Sequence, residues 1–195
     1  MRHTTLKTLL LCASLGLPAM AHAHPGHMIM EGWLAGLTHP LFGLDHLLAM
    51  LAVGLWGAQL GGRARWLLPV LFVVVMLVGG ALGIAGMALP AVESGIVTSV
   101  LVLGLMLLWA RQLPLMASAS LVAVFALFHG HAHGTEMPLD AAAGTYAAGF
   151  ALATAGLHLF GLGLGQWLRQ INAAVLSRTF GALIGLAGVG MVLAG

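Results

Sequence analysis

Charge is what this chain has least of. Asp, Glu, Lys and Arg together make 6% of its 195 residues, where an ordinary soluble domain carries about 25%. So little charge cannot cover a water-facing surface. Seven Lys and Arg against five Asp and Glu also leave no basic stripe, which excludes nucleic acid as a partner. There is one cysteine, Cys12, so neither a disulfide framework nor a thiolate metal site can form within one chain. No phosphate-binding run of the Gly-x4-Gly-Lys-Ser/Thr type occurs, and ATP is therefore not hydrolysed by this chain. Any bound metal must use nitrogen and oxygen donors, with Met sulfur in a minor role.

What is present is apolar: 61% of residues are hydrophobic and the mean hydropathy is +1.05. This is the composition of a membrane protein. Histidine stands out, with ten copies against five carboxylates. Residues 1–23 have the secretory pattern: Arg2 and Lys7 at the start, an apolar run from Leu9 to Leu17, and small residues at Ala21 and Ala23. Cleavage after Ala23 or Ala21 is expected, leaving a domain over 24–195; an uncleaved first helix is the alternative. Leu11 before Cys12 disfavours a lipoprotein.

Six apolar stretches follow, and the fold class expected is an all-α membrane protein, a polytopic bundle of six transmembrane helices behind a cleavable signal peptide. Pro40 suits the first position of a helix running to about Leu60, with His39 before it. The second span covers Trp66 to about Met87, and the third Gly95 to Ala110. The fourth runs from Leu115 through Phe128 into His129-Gly-His131-Ala-His133-Gly-Thr-Glu136, the fifth from Ala141 to Leu164, and the sixth from Thr179 to Ala194. Arg169 to Arg178 reads as a polar link. Outside the leader every Arg lies in an odd-numbered link, namely Arg63, Arg65, Arg111, Arg169 and Arg178. Those links should be cytoplasmic, which puts both ends of the mature chain outside. Gly79 with Gly83, and Gly181 with Gly185, are small-xxx-small pairs that let helix backbones approach. Met50, Met76 and Met106 read as packing residues.

The chemistry concentrates at two places. His39 and His46 are seven apart and fall on one face of a regular helix, with Asp45 free either to ligate or to fix an imidazole tautomer. On the fourth span His129 and His133 are i and i+4, with Glu136 three further on and His131 pointing elsewhere. Gly130 and Gly134 are expected to loosen that helix, so that a break could line a cavity. Ionisable groups inside a membrane are costly and are functional candidates by default. His39, Asp45, His46, His129, His133 and Glu136 are predicted at similar depth near the outer face, enough nitrogen and oxygen donors to replace most of an aquo-ion's shell. His24 and His27 are further candidates for capturing metal at the N-terminus, or simply a solvated end, and His131 is a lesser metal candidate on the fourth span. Isolated His158 reads as a packing residue with its nitrogens bonded to backbone or water.

At His39-x5-Asp45-His46 and at Phe128-His129-Gly130-x-Ala132-His133-Gly134-x-Glu136 the chain resembles the HupE/UreJ family of hydrogenase and urease accessory proteins. The likeness extends to the leader, the six-span plan and the run from Gly54 to Gly62. It implies a nickel permease whose metal residues are His39, Asp45, His46, His129, His133 and Glu136; His131 fills a variable position. A nickel/cobalt permease class is similar, but its gap before Asp-His is four residues rather than five. The expectation is therefore a bacterial inner-membrane carrier, not an enzyme, with Ni2+ as transported substrate and no organic cofactor. Co2+ is not separated from Ni2+ by nitrogen and oxygen donors, and an oligomer is left open. Transport would be facilitated diffusion or coupled to an ion or the membrane potential. The rivals are an intramembrane metalloenzyme, a haem protein with His46 and His129 or His133 as axial ligands, and a metal sensor or donor without flux.

Overall fold

The computed structural model describes residues 25–137 and 141–194, with side chains described from Gly32 onward. These residues form seven helices and no strand: α1 Pro25–Phe42, α2 Leu44–Leu60, α3 Ala64–Ile84, α4 Val92–Trp109, α5 Leu115–Thr135, α6 Ala143–Gln170 and α7 Ala174–Ala194. Helices α3 to α7 are each long and apolar enough to cross a membrane, and the bent pair of α1 and α2 passes the same test when the two are taken together. The leader, Cys12 and His24 lie outside the described residues.

The first crossing departs from expectation. Pro40 does not open a helix; it lies inside α1, and the chain breaks at Gly43, where φ −80° and ψ 111° are extended. The two helices meet there at 80°. The physical reason lies on both sides of the break. Pro40 has no N–H to give to the α1 ladder, and the Gly43 N–H reaches His39 O only at 3.4 Å. On the far side the Asp45 carboxylate accepts the His46 N–H at 2.7 Å, which satisfies an orphan donor in the first turn of α2 and suits the positive helix end. His39 and His46 are therefore on two helices, not on one face of one helix.

Helix α2 is the axis of the bundle. It packs against α1, α3, α4, α6 and α7, and Ala49, Met50, Ala52 and Val53 are fully buried. Burial on every side is what a helix apolar all round should have, and the small residues of Gly54-Leu-Trp-Gly57-Ala58 let neighbours close in. Glycine sets the direction of each major pair. Gly54 of α2 faces His158 and Leu162 of α6, while Gly165 faces Leu55 and Ala58, so these two helices run parallel. Gly79 faces Leu127 and His131, and Gly83 faces His131 and Thr135, so α3 and α5 also run parallel. Gly181 of α7 meets Leu107 and Leu108, and Gly188 meets Leu101, which makes α4 and α7 antiparallel. All three directions are those of six alternating crossings.

Arg63, Arg65, Arg111, Arg169 and Arg178 consequently gather at one end of the bundle, with Asp45, Glu93 and Glu136 at the other. Trp66, Trp109 and Trp167, all about half exposed, share the arginine end, as expected of an interfacial aromatic belt. Arg65 lies over Trp66 and Arg111 over Trp109. Arg169 and Arg178 are in α6 and α7 rather than in a ten-residue polar link; the turn between them is Ile171 to Ala173. Arg169 Nη1 donates to the Ala58 carbonyl at 2.5 Å, which ties the ends of α6 and α2 together and holds that last helical turn in place.

Helix α5 is not loosened by Gly130 and Gly134. It is continuous from Leu115 to Thr135, and its glycines serve contact instead. A Cβ on Gly130 would strike the Met76 carbonyl and one on Gly134 the Gly80 carbonyl. A Gly130→Leu substitution should therefore destabilise the bundle by about 1–3 kcal/mol through overpacking. That corresponds to a drop of several degrees in the melting temperature in detergent, at about 2–4 °C per kcal/mol for a chain this size. Gly156→Ala, where a Cβ meets open space, should leave it unchanged.

Candidate metal site

The alternation His129-Gly130-x-x-His133-Gly134 on an unbroken helix makes two stripes about 100° apart. The glycine stripe seats α5 on α3, and the histidine stripe then faces α2 and α6. The first turn of α2 comes to meet it. The His46 ring stands 4.9 Å from that of His129 and 4.1 Å from that of His133, centroid to centroid. His39, at the end of α1, is 4.6 Å from His133, and its Nε2 is 3.4 Å from a Glu136 carboxylate oxygen. All six predicted residues thus converge, with His133 in the middle.

Exposure falls steeply along this group. The Glu136 and His39 side chains are 50% and 36% exposed, whereas His133 is 2% and His129 0% exposed. The arrangement is a mouth leading inward. At the mouth, His39, His133 and Glu136 each offer a ligand atom, all within 4.8 Å of one another. Two donors on one first-row ion at about 2.1 Å each can be at most about 4.2 Å apart, so these side chains must draw closer to hold one ion together. Tyr146 and Phe150 of α6 wall it, with the Phe150 ring 3.9 Å from that of His133.

Further in, hydrogen bonds fix which nitrogen is available. Asp45 Oδ1 accepts from His46 Nδ1 at 2.7 Å, and the Phe125 carbonyl accepts from His129 Nδ1 at 2.8 Å. Both rings are thereby held as Nδ1–H tautomers, which leaves the Nε2 lone pairs for a ligand. Neither Nε2 has a hydrogen-bond partner among the described residues, and nor does either nitrogen of His133. Buried polar atoms are normally paired, because leaving one unpaired is unfavourable. The three rings, 4.1 to 4.9 Å apart by their centroids, thus each carry at least one ring nitrogen with no hydrogen-bond partner among the described residues. Gly43 belongs to the same construction, since a Cβ there would press on His46 Nδ1 at 3.0 Å and Asp45 Oδ1 at 3.1 Å. Of the two roles open to Asp45, this geometry is that of the orienting group.

The sequence matches the model of the HupE / UreJ protein family over residues 11–191. The chain belongs to that family. Among its curated members, Protein HupE of Rhizobium leguminosarum bv. viciae is 45% identical over 193 residues, which is 99% of this chain and 100% of that protein. No solved structure matches the chain.

In this HupE/UreJ chain His131 separates from the cluster. His131 turns away as expected: its Nε2 donates to the Met87 carbonyl at 2.6 Å, tying the outer end of α5 to the turn after α3. His24 and the His27 side chain lie outside the described residues. Sequence reasoning missed Tyr146 and Phe150 as walls and Phe72 as the floor, where its ring meets that of His129 at 5.5 Å. Tyr146 carried a usable signal as the chain's single tyrosine placed one turn from Phe150. Phe72 carried none.

Proposed function

We propose that this chain is a permease that takes up a divalent transition metal, Ni2+ foremost, across the bacterial inner membrane and supplies nickel enzymes such as hydrogenase or urease. It has no catalytic role of its own in this reading. The Arg-rich end is cytoplasmic and both mature termini are periplasmic, behind a signal peptide over residues 1–23 and ahead of a permease domain over 24–195. Glu136 and His39 collect the ion at the periplasmic mouth, His133 passes it inward, and His46 and His129 replace its remaining waters, with Asp45 holding His46 in the ligating tautomer. The single observation that carries the reading is the convergence of imidazole rings from α2 and α5, each with an unpartnered nitrogen, behind a half-exposed His/Glu pair. Nitrogen donors favour Ni2+ and Co2+ over Mg2+ and Ca2+, which prefer oxygen.

Radioactive nickel uptake by cells expressing the protein tests this directly. Uptake should exceed that of the empty-vector control and fall with added cobalt more than with magnesium; equal uptake in both strains would refute it.

A further inference from the structure

Below the cluster sits a histidine that the two sequence signatures do not include. His158, half-way along α6, is completely buried, and both of its ring nitrogens lack a hydrogen-bond partner among the described residues. A packing histidine would pair at least one nitrogen with a carbonyl or hydroxyl. Its ring meets Phe72 edge-on at 5.0 Å, and Phe72 is the same ring that floors His129. One turn outward on α6 the Thr154 hydroxyl donates to Met76 Sδ at 3.6 Å, and Met76 stands one turn outward of Phe72 on α3. His158 thus lies one turn inward of a hydroxyl and a thioether that meet across α6 and α3, and all three groups are neutral.

We infer that His158 is a second metal station, taking a borderline divalent ion such as Ni2+ or Co2+ from His129 past Phe72, with Met76 and Thr154 lining the approach on the outer side of that ring. The inference rests on the permease reading for its purpose but not for its geometry. Passage through a membrane requires successive sites, each strong enough to accept an ion and weak enough to release it. A site without a carboxylate meets the second condition. Its nitrogen donor, with no carboxylate beside it, also rejects hard ions that Glu136 at the mouth would admit. Phe72 acts as the partition between the stations, so an ion moves inward only when that ring turns aside.

The test uses the full chain purified in detergent, with Ni2+ binding followed by equilibrium dialysis. His158→Phe fills the same space without a donor, and His158→Cys restores one. The wild type and His158→Cys should bind one more Ni2+ per chain than His158→Phe, while His133→Ala should keep the His158 ion. In proteoliposomes, flux through His158→Phe should be at least about tenfold below wild type although the outer site still binds. Equal stoichiometry in wild type and His158→Phe, both eluting as folded protein, would overturn the station. Absence of nickel flux in the wild type would instead overturn the permease reading, and the stoichiometry would still decide the role of His158.

Discussion

Replacing His133 by alanine will lower nickel uptake by more than about a hundredfold, beyond the roughly 10–100-fold that loss of a mere orienting group causes at metal sites. His133 is the one ring adjacent to both halves of the cluster, 4.6 Å from His39 and 4.1 Å from His46. Its removal disconnects the mouth from the interior as well as deleting a ligand. His133→Gln, which fills similar space with a weaker donor, should recover little. Uptake corrected for the amount of protein in the membrane is the measurement, and a loss under threefold would show that the ion does not pass this ring.

The second large effect falls on Asp45. Asp45→Ala removes the acceptor that keeps the proton on His46 Nδ1 and also the cap on the first turn of α2. The ring is then free to rotate and to place its proton on Nε2, which blocks ligation. A loss of about 10–100-fold in nickel affinity is expected. Asp45→Asn retains an oxygen acceptor at the same distance and should lose less. Dialysis against Ni2+ separates the two substitutions; identical losses would assign Asp45 to the ion itself, because only a ligand's charge would matter equally in both.

Much of this was legible in the sequence. Hydrophobic run lengths and arginine placement located the apolar stretches and their alternation, since a segment that crosses lipid needs about 20 mostly apolar residues whatever its neighbours are. The His129/His133 spacing located one face of α5 for the same reason. Helix breaks were harder to read. Pro40 and Gly43 both interrupt a ladder, and choosing between them depends on whether α1 finds a partner. It does, because Gly36 and Gly149 let α1 lie against α6, and α1 therefore extends past Pro40 to Phe42. Gly130 and Gly134 pose the reverse case: the local preference is to loosen the helix, yet close contact with α3 rewards keeping it straight. Phe72 was invisible and His158 read as a packing residue, because an isolated aromatic or imidazole in an apolar run has no periodic partner; only tertiary packing shows what it faces.

That imidazoles from α2 and α5 share one ion can be measured by nickel-edge X-ray absorption on the purified full chain. The wild type should give a nitrogen and oxygen shell at about 2.0–2.1 Å with the multiple scattering of several imidazoles, and that scattering should diminish in both His46→Ala and His133→Ala. A shell built from oxygen alone, or one that only a single member of this pair alters, would contradict a site shared between the two helices.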